Sequence, residues 1–180
     1  MAVITNGPRI FLKSCKNRLT EEYQRWWLNA VNDSESNPIL RTYKLFKTSH
    51  AFEPYLFLQL PRKYQKYICR FRVSSHELRI HTGRYQGIRN RNERLCLFCN
   101  SEQVDDEYHF IMKCSFHAIE RIVLLNVVQM QEPKWKDFSE KERFIHLLHN
   151  KNPDSLRSLG KYLESGFKRR ENHTNNMPDC

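Results

Sequence analysis

Apolar side chains recur along most of the chain at the spacing of helices rather than of strands. The clearest example follows Pro61, where Tyr64, Tyr67, Ile68 and Phe71 fall at positions i, i+3, i+4 and i+7. Residues at this spacing lie on one side of a helix, so the pattern predicts a helix with one buried face. The chain is therefore expected to fold mainly into α-helices.

Further helices are predicted where a helix-start signal precedes apolar residues at the same spacing. Their starts are marked by Thr20, Pro38, Glu53, Ser139 and Asp154. The signal at Ser139 is a capping box, because a glutamate follows three residues later. Residues 115–130 are rich in β-branched side chains, but the length of this apolar segment favours a helix. The last helix is expected to end in the basic run 168–170, at the negative end of its dipole.

The amino-acid composition indicates a folded core and gives no membrane signal. Of the 180 residues, 39% are hydrophobic and 12% aromatic, which is too apolar for a disordered chain. No apolar run approaches the roughly 18 residues that cross a bilayer. The segment 1–12 also lacks the apolar stretch of a signal peptide. The protein is therefore predicted to be intracellular, nuclear or cytoplasmic, and neither secreted nor associated with a membrane.

Positive charge is concentrated in residues 62–94. The chain has a formal charge of +10, and this segment alone has ten basic residues against Glu77 and Glu93. A local positive field suits phosphate-bearing partners, so nucleic acid, RNA or DNA, is the expected partner. Tyr85 and Phe98 are candidates for stacking on unpaired bases. The candidate contacts to nucleic acid are Arg62, Lys63, Lys66, Arg70, Arg72, His76, Arg79, Arg84, Arg89, Arg91 and Arg94.

A group of cysteine and histidine residues follows the basic segment. Cys96, Cys99, His109 and Cys114 form a C-x2-C-x9-H-x4-C pattern, whose spacing lets four side chains reach one tetrahedral ion. Because four protein ligands leave no position for a reactive water, the pattern predicts a structural zinc ion. The remaining cysteines, at positions 15, 69 and 180, are interpreted as buried thiols or bystanders.

The identity of the histidine ligand has an alternative. His117 competes with His109, and His109 is preferred because Tyr108 and Phe110 flank it and would anchor it to the core. The acidic run 105–107 is interpreted as a solvated loop. One of its carboxylates is a candidate to orient the histidine ligand.

The sequence shows no signature of an active site. It has no Walker-type GxxxxGK[ST] loop, no GxGxxG and no carboxylate pair suited to two-metal chemistry. His76 and His81, near Arg84, are candidates for the general base of a nuclease. Hydrogen bonding within a turn or contact with phosphate is the favoured interpretation of both histidines. The chain is therefore predicted not to be an enzyme.

Several short motifs, taken in order, resemble a known family. They are LRTYKLFK (residues 40–47), FRVSSHEL (71–78), TGRY (82–85), RLC (94–96) and DEYHF (106–110), the last followed by Cys114. Over about residues 38–125 they resemble the C-terminal region of reverse transcriptases from non-LTR (LINE-type) retrotransposons, or genes derived from them. In that family a basic segment runs into a zinc-binding CCHC module after the polymerase domain.

The resemblance implies a zinc-binding module without a polymerase. The family's nucleic-acid contacts correspond to the region around Arg72, His76 and Arg84. Its zinc ligands correspond to Cys96, Cys99, His109 and Cys114. The family's catalytic aspartate motif and its endonuclease domain are absent from this sequence, so neither activity is implied. The chain is expected to be a fragment of such a protein, a truncated copy or a domesticated remnant.

The sequence thus predicts a mainly α chain, a small helical domain with an embedded CCHC zinc knuckle. Strand structure is expected at most as a short β-hairpin near the metal. The predicted parts are an N-terminal helical segment (1–37), a basic helical region (38–94), the zinc knuckle (95–117), C-terminal helices (118–171) and a frayed tail (172–180).

The predicted function is a zinc-stabilised nucleic-acid-binding module without polymerase or nuclease activity of its own. The alternative is a protein-interaction module. In that alternative, Trp26, Trp27 and the segment 115–130 dock a protein partner such as a polymerase body.

Overall fold

The computed structural model describes residues 7–33 and 35–176, with side chains from residue 9 onward. Within these ranges the protein is mainly helical and has no β-strand, which confirms the expectation of a mainly α chain. No helix in the described part is both long and apolar enough to cross a membrane. The backbone forms two compact units, residues 1–52 and 53–180. The end of the predicted tail, including Cys180, lies outside the described residues.

Helix α1 (Gly7–Asn32) makes up most of the first unit and begins earlier than predicted. Thr20 is not its cap but lies inside it, where the hydroxyl donates to the Lys16 carbonyl oxygen at 2.8 Å. Residues 9–20 contain no proline or glycine, so nothing in this stretch interrupts the helix despite its unclear apolar period. Exposed apolar side chains on α1 include Leu12 and Leu19.

Two short 3-10 turns, Pro38–Leu40 and Tyr43–Leu45, replace the helix predicted from residue 38. The apolar stripe of that predicted helix is Leu40, Tyr43 and Phe46, and Phe46 is buried. Trp27 of α1 meets the Tyr43 ring edge-on, with 6.5 Å between ring centroids. The stripe therefore packs as predicted, although the backbone beneath it makes turns rather than a continuous helix.

The second unit is built around one long helix near its C-terminal end, α6 (Pro153–Asn175). Helices α2 (Arg62–Arg72) and α4 (Ala118–Gln131) pack against it. The remaining α-helices of the described residues are α3 (Arg79–Thr82) and α5 (Glu140–His149). The predicted apolar face of α6 is buried and consists of Leu156, Leu159, Leu163 and Phe167. Burial of this face removes apolar surface from water and anchors the neighbouring helices.

Both ends of α6 differ from the prediction. The N-cap is Asn152 rather than Asp154: its side-chain oxygen accepts from the backbone N–H groups of Asp154 and Ser155 at 2.9 and 3.1 Å. Pro153 explains the shift, because proline suits the first helical position and places the cap one residue before it. The helix also continues past the basic run 168–170.

Helices α2 and α5 follow the sequence prediction closely. Ile68 and Phe71 of α2 are buried on its predicted apolar face. The capping box of α5 is formed, with Ser139 Oγ accepting from the Glu142 backbone N–H at 3.3 Å and the glutamate accepting in return at 2.7 Å. Local signals therefore located both helices.

Residues 53–60 lie along α2 and make one 3-10 turn, Pro54–Leu56, where a short helix is predicted. The Glu53 carboxylate pairs with the Arg72 guanidinium at 2.8 Å. The same guanidinium lies over the Tyr55 ring at 4.9 Å from its centroid. This segment thus supplies an acidic and an aromatic partner of a buried arginine on α2.

Helix α4 starts at Ala118, after a 3-10 turn at Ser115–His117, and confirms the helix predicted for this β-branched segment. Of its 14 residues, Leu124 and Val128 are buried. Its exposed apolar side chains are Ile119, Ile122, Val123 and Met130.

Candidate metal centre

A short loop presents the first two cysteines. Leu95 and Val104 form a single antiparallel bridge, and the Cys96 N–H donates to the Gln103 carbonyl oxygen at 2.9 Å. This pairing closes a loop that carries Cys99 near its middle. In the described residues this single bridge is the only strand-like pairing at the site. Within that part of the chain, the predicted short β-hairpin is therefore not formed as a pair of strands.

The other two side chains lie on either end of a π-helical turn, His109–Lys113. The Cys114 N–H donates to the His109 carbonyl oxygen at 2.8 Å, which closes a turn wider than that of an α-helix. Phe110 and Ile111, inside this turn, are fully buried. The turn is thus fixed to the core, as the aromatic neighbours of His109 predicted.

Cys96, Cys99, His109 and Cys114 come together in one cluster. Their candidate ligand atoms all lie within 4.8 Å of one another. Cys96, His109 and Cys114 are buried, and Cys99 is partly exposed. The four residues can therefore hold one metal ion.

Two distances in the cluster suit a tetrahedral ion. Ligand bonds of about 2.3 Å to sulfur and 2.0 Å to nitrogen place two sulfurs about 3.8 Å apart and a sulfur and a nitrogen about 3.5 Å apart. Cys96 Sγ and Cys114 Sγ are separated by 3.9 Å. Cys99 Sγ and His109 Nε2 are separated by 3.3 Å. Little movement is needed to bring these four atoms onto one ion.

His109, and not His117, belongs to the cluster. The Nδ1 of His109 lies 3.0 Å from the Gln103 side-chain oxygen, so a proton on Nδ1 leaves Nε2 to face the sulfurs. His117 is turned away, and its Nε2 accepts from Arg170 Nε at 3.0 Å. A glutamine amide, rather than one of the acidic residues 105–107, contacts the His109 ring.

Protons are shared unevenly among the cluster side chains. The hydrogen bond with Cys114, together with burial, raises the pKa of the Cys96 thiol to about 12. The same hydrogen bond lowers the pKa of Cys114. Burial opposes the protonation of His109, but the nearby sulfurs of Cys96 and Cys99 outweigh it and raise the pKa of the imidazole. Metal binding requires thiolates and a neutral imidazole, so it displaces protons from these groups.

The acidic run 105–107 is not the solvated loop that the sequence suggested. Asp105 and Glu107 are each 1% exposed. Asp105 accepts two hydrogen bonds from Arg170 at 2.9 Å, and Glu107 lies 2.7 Å from the His76 ring. These carboxylates are buried because each has a partner on a distant segment of the chain.

Three of the predicted nucleic-acid contacts are buried and bond within the protein. Arg72 pairs with Glu53, His76 pairs with Glu107, and Arg94 donates to backbone carbonyl oxygens. As folded here they cannot reach a phosphate, and they are corrected to structural residues. The others are exposed or partly exposed: Arg62, Lys63, Lys66, Arg70, Arg79, Arg84, Arg89 and Arg91.

Some of the exposed or partly exposed cations already have acidic partners. Lys63 pairs with Glu164 at 3.0 Å, and Arg91 lies 3.4 Å from the Asp106 carboxylate. Exposed pairs of this kind are weak and exchange readily for phosphate oxygens. They therefore leave these two basic side chains available to a partner.

The sequence interpretation missed the role of two residues beside the cluster. It did not single out Arg170, and it considered His117 only as a metal ligand and not as a hydrogen-bond partner of Arg170. A signal for Arg170 was present, because Leu163, Phe167 and Arg170 follow one another at helical spacing. This spacing puts the arginine on the buried face of α6 rather than in a solvated basic run.

Comparison of the chain with protein-family models, with curated proteins and with solved structures gives no match. The fold and the site define the class of protein: a mainly helical chain with a Cys3His cluster that can hold a metal ion. The resemblance to LINE-type reverse transcriptases stays a prediction.

Proposed function

We propose that the protein is a zinc-stabilised nucleic-acid-binding module, in which Cys96, Cys99, His109 and Cys114 hold one structural zinc ion. The observation that carries the proposal is the convergence of these four side chains within 4.8 Å. They come from two separate local structures, the loop after Leu95 and the π-helical turn. One ion would therefore cross-link these two parts of the chain.

The chemistry of the ligands favours zinc. Thiolate and imidazole suit Zn²⁺ in a tetrahedral site, whereas Mg²⁺ and Ca²⁺ prefer oxygen ligands. With three sulfurs and one nitrogen the coordination is complete, so no position remains for a reactive water. The ion acts on folding, not on a substrate.

The proposed contact surface for nucleic acid is the loop of residues 83–93, called the basic loop below. The buried side chain of Arg94 holds this loop in place through hydrogen bonds to its backbone. Its guanidinium donates to the carbonyl oxygens of Ile80 at 2.9 Å, Ile88 at 2.9 and 3.0 Å and Arg89 at 3.0 Å. Next along the chain come Leu95 and Cys96, so the loop runs directly into the metal cluster.

The side chains on the basic loop suit a single-stranded partner. Tyr85 is 81% exposed, and Arg89 and Arg91 are exposed on the same loop. Arginines attract phosphates, and an exposed aromatic ring stacks on an unpaired base whatever its sequence. Tyr85 and Phe98 each contact another ring, His81 at 5.5 Å and Phe116 at 5.4 Å between centroids, but Phe98 is only partly exposed. Tyr85 is therefore the preferred stacking residue.

The resemblance of residues 38–125 to the C-terminal region of LINE-type reverse transcriptases supports the same function. It pairs a basic segment with a CCHC module in the order found here. Under this proposal the protein binds RNA or DNA through backbone charge and stacking, with little sequence preference.

Native mass spectrometry tests the zinc assignment. Wild-type protein purified without added chelator is expected to carry one zinc ion per chain, and Cys96→Ser is expected to lose the ion and much of its helical structure. Cys69→Ser is the matched control, because Cys69 lies outside the cluster and is exposed. A folded wild-type chain without zinc, after loading with excess Zn²⁺, would contradict the assignment.

Fluorescence anisotropy with a labelled single-stranded RNA, measured over a range of salt concentrations, tests the nucleic-acid assignment. The combined variant Tyr85→Ala, Arg89→Ala and Arg91→Ala is expected to bind more weakly. If both arginines contact phosphate, the slope of log affinity against log salt falls by about 1.4. The lost stacking costs about 1–3 kcal/mol for one base.

The control for this titration removes the same charge elsewhere. Lys136 and Lys141 are exposed and lie outside the basic loop, so Lys136→Ala with Lys141→Ala also lowers the net charge by two. Equal losses of affinity in the two variants would mean that net charge alone drives binding, and the basic loop would be rejected as the contact surface.

The alternative function, docking of a protein partner, is favoured by one observation. Ile122 and Met130 of α4 are 59% and 83% exposed, and Trp26 of α1 is 61% exposed. Exposed apolar side chains of this size are typical of contact surfaces. Ile122→Lys with Met130→Lys separates the two functions, since the pair leaves the basic loop intact. The nucleic-acid function predicts unchanged RNA affinity in this pair and weaker binding in the loop variant. An RNA affinity unchanged in both variants, with a protein partner lost only in the α4 pair, would favour docking on α4.

A further inference from the structure

Arg170 brings helix α6 to the metal cluster. It lies one helical turn beyond Phe167, on the buried face of the helix, and is 6% exposed. Its guanidinium contacts two aromatic rings, 4.5 Å from the centroid of Phe98 and 4.7 Å from that of Phe110. A charged side chain is held in such a place only if its donors find partners.

Every nitrogen of this guanidinium has a partner. Nη1 donates to both oxygens of Asp105 at 2.9 Å, and Nε donates to His117 Nε2 at 3.0 Å. Nη2 lies 3.7 Å from Cys96 Sγ and 3.9 Å from Cys114 Sγ, within hydrogen-bond reach of sulfur. The arginine therefore contacts two of the four candidate metal ligands from a position 56 residues beyond the nearer of them in the sequence.

The charges around the cluster call for a cation at this point. A Zn²⁺ ion with three thiolates and a neutral imidazole has a net charge of −1, and the buried Asp105 carboxylate adds a second negative charge. Interactions between charges are strong where water is excluded. Among the described residues, Arg170 is the positive side chain that touches both Asp105 and the sulfurs.

We propose that Arg170 is a positioning residue of the metal site: it donates N–H groups to the zinc-bound sulfurs of Cys96 and Cys114, lowers their reactivity and couples helix α6 to the metal. The inference rests on the zinc site proposed above. A hydrogen bond withdraws electron density from a thiolate, and the thiolate is the form that reacts with electrophiles. A donor of this kind both orients a ligand and protects it.

The contact between Arg170 and the sulfurs also makes the position of helix α6 depend on the metal. With zinc bound, the sulfurs are thiolates and accept strongly from Nη2, which holds the C-terminal half of α6 in place. When zinc is removed, the sulfurs of Cys96 and Cys114 lose the ion that fixes their positions, and their contact with Nη2 at 3.7 and 3.9 Å is held less firmly. The backbone amides of residues 166–175 are then expected to exchange hydrogen faster.

The variants Arg170→Lys, Arg170→Met and Arg169→Met test the inference in the full-length chain. Lysine keeps the positive charge for Asp105 but lacks the planar fork that reaches Asp105, His117 and two sulfurs at once. Arg169 is the matched control: it pairs with Glu120 at 2.7 Å and lies over the Phe116 ring, without contact to a sulfur. Three readouts are taken: zinc affinity by chelator competition, the sulfur-to-metal absorption of the Co²⁺-loaded protein, and the rate at which iodoacetamide alkylates the zinc-loaded cysteines.

Arg170→Lys is expected to bind one zinc ion with an affinity lowered by about 10- to 100-fold, as is typical when a partner of a metal ligand is lost. Its Co²⁺ absorption is expected to shift, and its cysteines to be alkylated faster. Arg169→Met is expected to match the wild type in all three. Arg170→Met leaves the buried Asp105 carboxylate without its cationic partner. If this variant fails to fold, the readouts of Arg170→Lys alone test the inference.

A folded Arg170→Lys protein that matches Arg169→Met in all three readouts would overturn the inference while the zinc site stands. A wild-type chain that binds no zinc would overturn both. A helix that merely packs on the core would alter stability but leave the Co²⁺ absorption and the alkylation rate of the loaded site unchanged.

Discussion

His117 is held in one protonation state by its surroundings. Burial and the positive charge of Arg170 lower the pKa of its imidazole to about 3. Its Nε2 accepts a hydrogen bond from Arg170, and its ring lies 4.6 Å from the Phe110 ring, centroid to centroid. The ring is therefore neutral in the folded protein over the whole neutral and mildly acidic range.

This neutral histidine predicts a loss of stability in acid. The unfolded chain takes up a proton at residue 117 near pH 6.5, whereas the folded chain does so only near pH 3. Between these values acid favours the unfolded state, and the free energy of unfolding falls by about 1.4 kcal/mol per pH unit from this residue. Urea unfolding of wild type and His117→Gln at a series of pH values measures it, since glutamine can still accept from Arg170 and does not titrate.

The difference between the two proteins isolates His117 from the cluster residues, which also take up protons. His117→Gln is expected to show the shallower dependence on pH between about 6.5 and 4. His149→Gln, at an exposed position, controls for the loss of a histidine as such. Parallel curves for wild type and His117→Gln would show that the ring is not kept neutral.

At the level of single residues, the sequence predicted which residues come together in the cluster better than it predicted their surroundings. Spacing brought out Cys96, Cys99 and Cys114, and flanking aromatic residues singled out His109, which the structure places in the cluster. The buried state of Asp105 was not predictable, since its partner Arg170 lies 65 residues away. Charge in a sequence indicates solvent exposure by default, and only the fold reveals a buried pair.

Among the helices, the contact between α2 and α6 depends on a glycine. A Cβ atom at Gly160 would lie 2.4 Å from Cβ and 3.2 Å from Cα of Tyr64. These atoms belong to or adjoin the α2 backbone, so they cannot turn aside as the end of a flexible side chain would. Glycine is present because the two helices approach too closely for any side chain at this position.

Gly160→Ala is therefore expected to destabilise the protein. Inside a helix this change normally adds about 1 kcal/mol of stability. Here overpacking should reverse the sign and cost about 1–3 kcal/mol. Urea unfolding at saturating zinc measures the change, and Lys161→Ala, at an exposed position of the same helix, is the control. A Gly160→Ala protein more stable than wild type would mean that α2 can move away from α6.

Helix positions were predictable where local signals and apolar spacing agreed. The capping box at Ser139 and the apolar face of α2 are the clear cases. At Pro38, by contrast, a start signal followed by an apolar stripe gave only two short 3-10 turns, and the signal at Glu53 gave one turn at Pro54–Leu56. Proline fixes one backbone angle and permits a helical start, but packing decides whether the helix continues. The early start of α1 could not be predicted for the converse reason, because its apolar residues follow no clear period.

On the scale of the whole molecule, the Cys3His cluster lies within the second unit. All four cluster residues, Arg170 and the basic loop lie within residues 53–180. The sequence predicted a basic region next to a metal site, but not that α6 closes this site. A contact such as that between Cys96 and Arg170, which are 74 residues apart, cannot be predicted from the spacing of residues within one segment.

The division into two units predicts where the chain can be shortened. A fragment of residues 53–180 is expected to bind zinc with the affinity of the full chain and to unfold in one cooperative step. A fragment of residues 62–180 also keeps every cluster residue, but it lacks Glu53 and Tyr55, the partners of the buried Arg72. Removing residues 53–61 also takes away the buried side chains of Tyr55 and Leu60, so this fragment should melt at a lower temperature.

Circular dichroism melts of the two fragments, each with zinc and with a chelator, provide the measurement. The zinc-dependent rise in melting temperature should be present in both fragments, because the cluster is intact in both. The difference between the fragments should persist with the chelator, because the contact of Arg72 with Glu53 does not involve the metal. If residues 53–180 fail to fold while the full chain does, the second unit depends on residues 1–52, and the boundary at Phe52 does not separate independent folding units.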